Sequence, residues 1–216
     1  MVPCDCRLHE HLSAKRIVLT GGPGAGKTAV LELIRQHFCR HVKVLPESAG
    51  ILFGGGFPRA ATMQARRAGQ RAIYFVQREL EAAAEDGESA ITLCDRGTVD
   101  GAAYWPGPDD LWTSVGTTRA AELARYDAVI HLRTPSADGG YDHSNPLRIE
   151  SPAEAAAVDA RITTAWDGHP RRVVIVSEAD FLRKARRALD AVREELPDCC
   201  RRHVVPSLDH NQRATT

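Results

Sequence analysis

Between "RIVLT" (16–20) and "TAVLELIRQHF" (28–38) runs the stretch "GGPGAGKT", Gly21 to Thr28, and it restricts what this chain can fold into more than any other segment. A short β-branched run before it and an amphipathic run after it make a strand–loop–helix unit, the context a phosphate-cradling P-loop needs. Gly21, Gly22, Gly24 and Gly26, with Pro23 and Ala25 between them, let the backbone curl. Successive N–H groups and the helix N-terminus then point at phosphate oxygens. Lys27 is placed to bridge the outer phosphates, and the Thr28 hydroxyl to ligate Mg²⁺. No Asn/Thr-Lys-x-Asp guanine reader occurs in the chain, which favours ATP as the nucleotide.

Five apolar or β-branched runs punctuate the sequence: 16–20, 42–45, 90–94, 127–132 and 172–176. Each reads as a strand buried on both faces, as in a parallel sheet. Helical stretches alternate with them, at 27–39, about 60–86, 118–125, 151–167 and 178–195. This alternation predicts an α/β sandwich with right-handed crossovers around a five-stranded, mainly parallel sheet. Ser151, Pro152 and Glu154 write a helix start with a capping box, and "SEAD" at 177–180 repeats the device less perfectly. "GILFGGGFPR" (50–59) and "YWPGPDD" (104–110) break the periodicity and read as loops. A longer polar segment, 133–146, has the length of a lid or binding loop.

The chain has 216 residues, enough for one domain with a substantial core, drawn here at 15–196 with an extension at 1–14 and a tail at 197–216. Lys+Arg and Asp+Glu both number 28, so no global field favours nucleic acid or an anionic membrane. No apolar run nears the ~20 residues of a membrane span, and the first residues carry no apolar signal region. A cytoplasmic protein acting on a small molecule is expected, with a homodimer as a possible assembly. Its six cysteines are then reduced thiols. Cys4, Cys6, Cys199 and Cys200 with His9, His11 and His203 match no CxxC zinc spacing, and no zinc site is expected of them.

Two further motifs fall at strand ends, where ligands of parallel sheets bind. In "LCDRG" (93–97), Asp95 is suited to hold Mg²⁺ through water and Arg96 to reach a transferred phosphoryl group; a plain helix cap is the competing reading. In "LPESAG" (45–50), Glu47 is suited to take a proton from a substrate hydroxyl as it attacks the γ-phosphate. Tyr104 and Trp105 suit either stacking on a ring or core packing.

"GGPGAGKT", "LPESAG", "LCDRGTVDGAAYW" and "YDHSNPLRIESPAEAAAVDARITTAWDGHP" together resemble the P-loop family that contains nicotinamide-riboside-kinase-like AAA-type ATPases and GTP-binding signalling members, over roughly residues 15–180. More distantly, "PES", "DRG" and "HLRTP" parallel the deoxynucleoside kinases. The resemblance implies a P-loop NTPase three-layer sandwich, nucleoside/nucleotide-kinase-like, with a lid after the fourth strand. It assigns Glu47 as base and Asp95 with Arg96 as the acid–Arg pair. Gly97 stands where those kinases more often have Ser or His. Arg148 is the implied lid cation, and Gln70 and Gln77, seven apart on one helical face, are implied readers of a base. The function expected is ATP- and Mg²⁺-dependent phosphoryl transfer to a hydroxyl of a nucleoside- or riboside-like molecule. A nucleotide-gated switch with a second ligand pocket is the alternative.

Overall fold

The computed structural model describes residues 14–85, 89–135, 151–178 and 180–201. The expected lid with Arg148, most of the N-terminal extension and the tail beyond 201 lie outside the described residues.

Five strands form one sheet: β1 (Lys15–Thr20), β2 (Val42–Leu45), β3 (Ile91–Asp95), β4 (Ala128–Leu132) and β5 (Arg172–Ile175). Their order is β2-β3-β1-β4-β5, and every pairing is parallel. Because strand side chains alternate, β1 feeds two cores at once. Ile17 and Leu19 pack against α1 (Lys27–His37) and α8 (Phe181–Glu195), through Leu31, Ile34, Leu189 and Val192. Val18 faces the opposite layer, with Val129, Ile162 and the fully buried Trp166. The result is the expected three-layer α/β sandwich.

On that second face lie α2 (Ser48–Gly54), α3 (Met63–Ala83), a 3-10 turn at Thr98–Asp100 running into α4 (Gly101–Tyr104), α5 (Leu111–Val115), α6 (Arg119–Leu123) and α7 (Pro152–Ala165). The capping box at Ser151 and Glu154 is present. Asp180, the last residue of "SEAD", caps α8 by accepting from the Leu182 amide.

Three expectations need correction. The first half of the stretch read as a loop at 50–59 belongs to the helix α2, which ends where its glycines allow, with the Gly55 amide on the Ile51 carbonyl and Gly56 at a φ of 94°. β5 is not buried on both faces: it is an edge strand, and Val173 and Val174 are exposed. The segment after Pro197 reads as a loose tail, yet it opens with α9 (Asp198–Arg201), whose Cys200 belongs to the core.

Candidate active site

The loop after β1 takes its shape from glycine. Gly21 has a φ of 144°, and a Cβ there would meet the Leu132 carbonyl oxygen at 2.1 Å, so the loop can lie against the end of β4 only without a side chain. Gly26, at φ 90°, turns the chain into α1 and stands at its N-cap. The loop is also held from α7. Asp159 accepts hydrogen bonds from the Gly22 amide (3.0 Å), His131 Nε2 (3.1 Å) and Arg133 Nε (2.5 Å). Thr134 adds a hydrogen bond from its hydroxyl to the Pro23 carbonyl.

Lys27 folds back over this loop and donates from Nζ to the Gly21 and Gly22 carbonyls at 2.8 and 3.1 Å. Burial, with the positive charge of Arg96 behind it, pulls the ammonium down to about 7, against the opposing pull of Asp95, Glu47 and Asp100. At the end of β3, Asp95 Oδ1 is buried with no hydrogen-bond partner among the described residues. Burial raises this carboxyl to about 6 despite nearby Lys27. A buried carboxylate oxygen left unpaired is costly in an apolar setting and suits a cation or its bound water. Asp95 therefore fits the role expected of it toward Mg²⁺. Thr28 is exposed in the first turn of α1, beside Lys27.

Arg96 follows with a φ of 70°, a backbone state that costs a non-glycine residue of order 1–3 kcal/mol. Its amide still pairs with the Leu19 carbonyl, so the strain re-aims the side chain without undoing the sheet. Nε donates to Glu47 Oε1 (2.8 Å); Nη1 donates to the Gly21 carbonyl (3.1 Å) and Asp100 Oδ1 (3.3 Å). Glu47 stands at the N-cap position of α2 but makes no capping bond with its side chain, which is turned to Arg96 instead.

Beside this cluster lies a cavity of about 680 Å³ between α2, α3 and the end of β3. Glu47, Gln70, Gln77, Arg96 and Tyr104 all contribute to its wall. Tyr104 also carries the Arg96 guanidinium over its ring, 5.6 Å from the centroid. Gln77 Nε2 donates to Glu81 (2.9 Å), and its amide oxygen is buried without a partner among the described residues. Of the expected site residues, the structure thus gathers Lys27, Glu47, Asp95, Arg96, Gln70 and Gln77 around the P-loop and one adjoining cavity.

Two acids belong to this framework that sequence reading missed. Asp100 is buried and accepts from Arg96, the Gly97 amide (3.0 Å), Trp166 Nε1 (3.1 Å) and the Thr20 hydroxyl. Its only trace in the sequence is the four-residue spacing from Arg96. Asp159 left a better signal, since it lies on the stripe of α7 that also carries Ala155 and Ile162. An acid on a core-facing stripe is expected to have a polar task.

A family profile described as an AAA domain matches residues 16–184. No curated protein matches the chain. Among solved structures, that of deoxyadenosine kinase from M.mycoides with bound dATP is similar, with a TM-score of 0.56 and 13% identity, covering 82% of this chain and 98% of that one.

Proposed function

The chain belongs to this AAA-domain family and has a P-loop kinase-like fold, and from that premise we propose that it is an ATP- and Mg²⁺-dependent phosphotransferase acting on a hydroxyl of a nucleoside- or riboside-like small molecule. One observation carries the reading: the cavity beside the P-loop has the Glu47–Arg96 pair in its wall and a buried, unpaired amide oxygen on Gln77. An acceptor ring with an exocyclic amine satisfies that oxygen, and a cavity of this size is in the ordinary range for a small-molecule site. The similar deoxyadenosine kinase, which binds dATP in its own structure, supports the substrate class.

The chain's residues then divide the work. Backbone amides of Gly24, Gly26, Lys27 and Thr28, at the end of the loop and the N-terminus of α1, hold the phosphates of ATP. Lys27 leaves the loop carbonyls for the outer phosphates, whose negative charge restores its own. Thr28 and Asp95 hold Mg²⁺, which supplies neutralising charge to the phosphates when bound. Glu47 uses one carboxylate oxygen to anchor Arg96 and the other to take the proton of the acceptor hydroxyl. The hydroxyl oxygen bonds to the γ-phosphorus, the bond to the β,γ-bridging oxygen breaks, and ADP departs. Arg96, fixed by Glu47 and Asp100, offers its guanidinium to the transferred group. Arg148 remains the proposed cation of the segment beyond β4.

A panel of nucleosides and ribosides tests this by acceptor-dependent ADP release. At least one should raise release well above the basal hydrolysis and yield its phosphate ester. Uniform, acceptor-independent release across the panel would favour a nucleotide-gated switch instead.

A further inference from the structure

At the end of the sheet opposite the P-loop, three residues far apart in sequence meet. Cys39 and His41 lie in the connection from α1 to β2, and Cys200 in α9, the last helix among the described residues. All three are buried, with 2%, 2% and 0% of their surface exposed. Cys200 Sγ is 3.3 Å from His41 Nδ1 and Cys39 Sγ is 3.7 Å from the same nitrogen. The three donor atoms lie within 4.8 Å of one another.

The two sulfur–nitrogen separations fit one ion. In tetrahedral zinc coordination, with bonds of about 2.3 Å to sulfur and about 2.0–2.1 Å to nitrogen, a sulfur and a nitrogen ligand sit about 3.5 Å apart. The sulfur–nitrogen distances of 3.3 and 3.7 Å bracket that value. We propose that Cys39, His41 and Cys200 bind a zinc ion that fastens α9 to the core. Two thiolates and an imidazole select zinc over the hard cations that serve phosphates. Binding releases the two thiol protons to solvent, and water or another donor completes the tetrahedron.

The framework for such a site is already rigid. The His41 carbonyl accepts from the Ala90 and Ile91 amides at the start of β3, and the Cys39 carbonyl accepts from the Val42 amide. Cys200 arrives on a helix whose own amide bonds to the Pro197 carbonyl. Its position at the amino ends of β2 and β3, away from Lys27 and Asp95, assigns the ion to stability rather than to phosphoryl transfer. Linear spacing conceals it: Cys39 and His41 form a C-x-H pair whose third member lies about 160 residues on.

The test uses the full chain, purified with reductant, given zinc and dialysed into metal-free buffer. Elemental analysis should find about one zinc per chain, and cobalt(II) in its place should give a thiolate-to-metal charge-transfer band. Chelation should lower the melting temperature, and zinc should restore it. Cys200→Ser, a change confined to the short helix α9, should remove the charge-transfer band, and Cys39→Ser with Cys200→Ser should drop zinc below about a tenth of an equivalent. Circular dichroism establishes that both variants are folded, and the wild-type cobalt spectrum stands without them. Wild-type chain with reduced thiols that holds under about a tenth of an equivalent and gives no such band overturns the site. So does zinc retained in the folded double variant, which would place it elsewhere, or a Cys39–Cys200 disulfide in protein purified without reductant.

Discussion

Glu47 Oε1 accepts a hydrogen bond from Arg96 Nε at 2.8 Å, joining the ends of the neighbouring strands β2 and β3 at the mouth of the cavity. The same guanidinium reaches the Gly21 carbonyl, so cavity wall and P-loop share one arginine. Removing charge on either side of this junction should disturb transfer more than folding.

Lys27→Ala removes the cation and its two bonds to the Gly21 and Gly22 carbonyls, and leaves the cradle whose turns are set by the positive φ of Gly21, Gly24 and Gly26. Turnover should fall by roughly 10²–10³-fold, with weak nucleotide binding retained. Titration calorimetry beside a turnover assay checks this; wild-type turnover in the variant would remove the loop from the chemistry.

Asp95→Asn should separate activity from stability. The buried Oδ1 has no partner to lose, so the neutral amide relieves a desolvation cost. The melting temperature should stay level or rise while Mg²⁺-dependent turnover collapses. A variant that melts many degrees lower with full turnover per folded molecule would make Asp95 a structural cap.

Asp100→Asn should do the opposite. Its carboxylate faces four donors, from Arg96, Gly97, Trp166 and Thr20, and an amide group offers one of them a second donor in a buried place. Urea unfolding should show a loss of roughly 2–4 kcal/mol. An unchanged midpoint and slope would contradict the buried network.

The acid limb of stability should carry the mark of Asp159. Burial opposes its ionisation, but hydrogen bonds from His131, the Gly22 amide and Arg133 prevail and hold it at about 2. A carboxyl depressed on folding contributes stability above its unfolded value of about 3.9, and loses it as pH falls from there toward 2. Between about pH 5 and pH 2, wild-type stability should fall more steeply than that of Asp159→Asn, with up to roughly 2 kcal/mol at stake. Parallel profiles would contradict the assignment.

Local signals in the sequence found the frame of the site and missed its bracing. Strand runs, the glycine loop and the acid at the end of β3 are short-range patterns, and all fell where the fold needs them. The helix α2 was hidden because Gly50 and Gly54 to Gly56 mask a turn that packs on α3. Asp100 reaches Thr20 and Trp166, and Asp159 reaches Gly22, His131 and Arg133, distant partners that no window along the chain contains. The meeting of Cys39 and His41 with Cys200 is of the same kind. β5 read as a buried strand because its valines are β-branched, while its place at the sheet edge is a matter of topology.

The most direct measurement follows the labelled γ-phosphate of ATP into the best acceptor, for wild type and Glu47→Gln in the same conditions, with ATP affinity titrated alongside. The substituted amide keeps the reach of the native side chain but cannot take a proton. Transfer should drop by roughly 10²–10⁴-fold, the usual contribution of a positioned base, while ATP affinity stays within a factor of a few. Equal transfer by the two proteins, or no labelled ester from any acceptor with wild type, would contradict phosphoryl transfer at the Glu47 cavity.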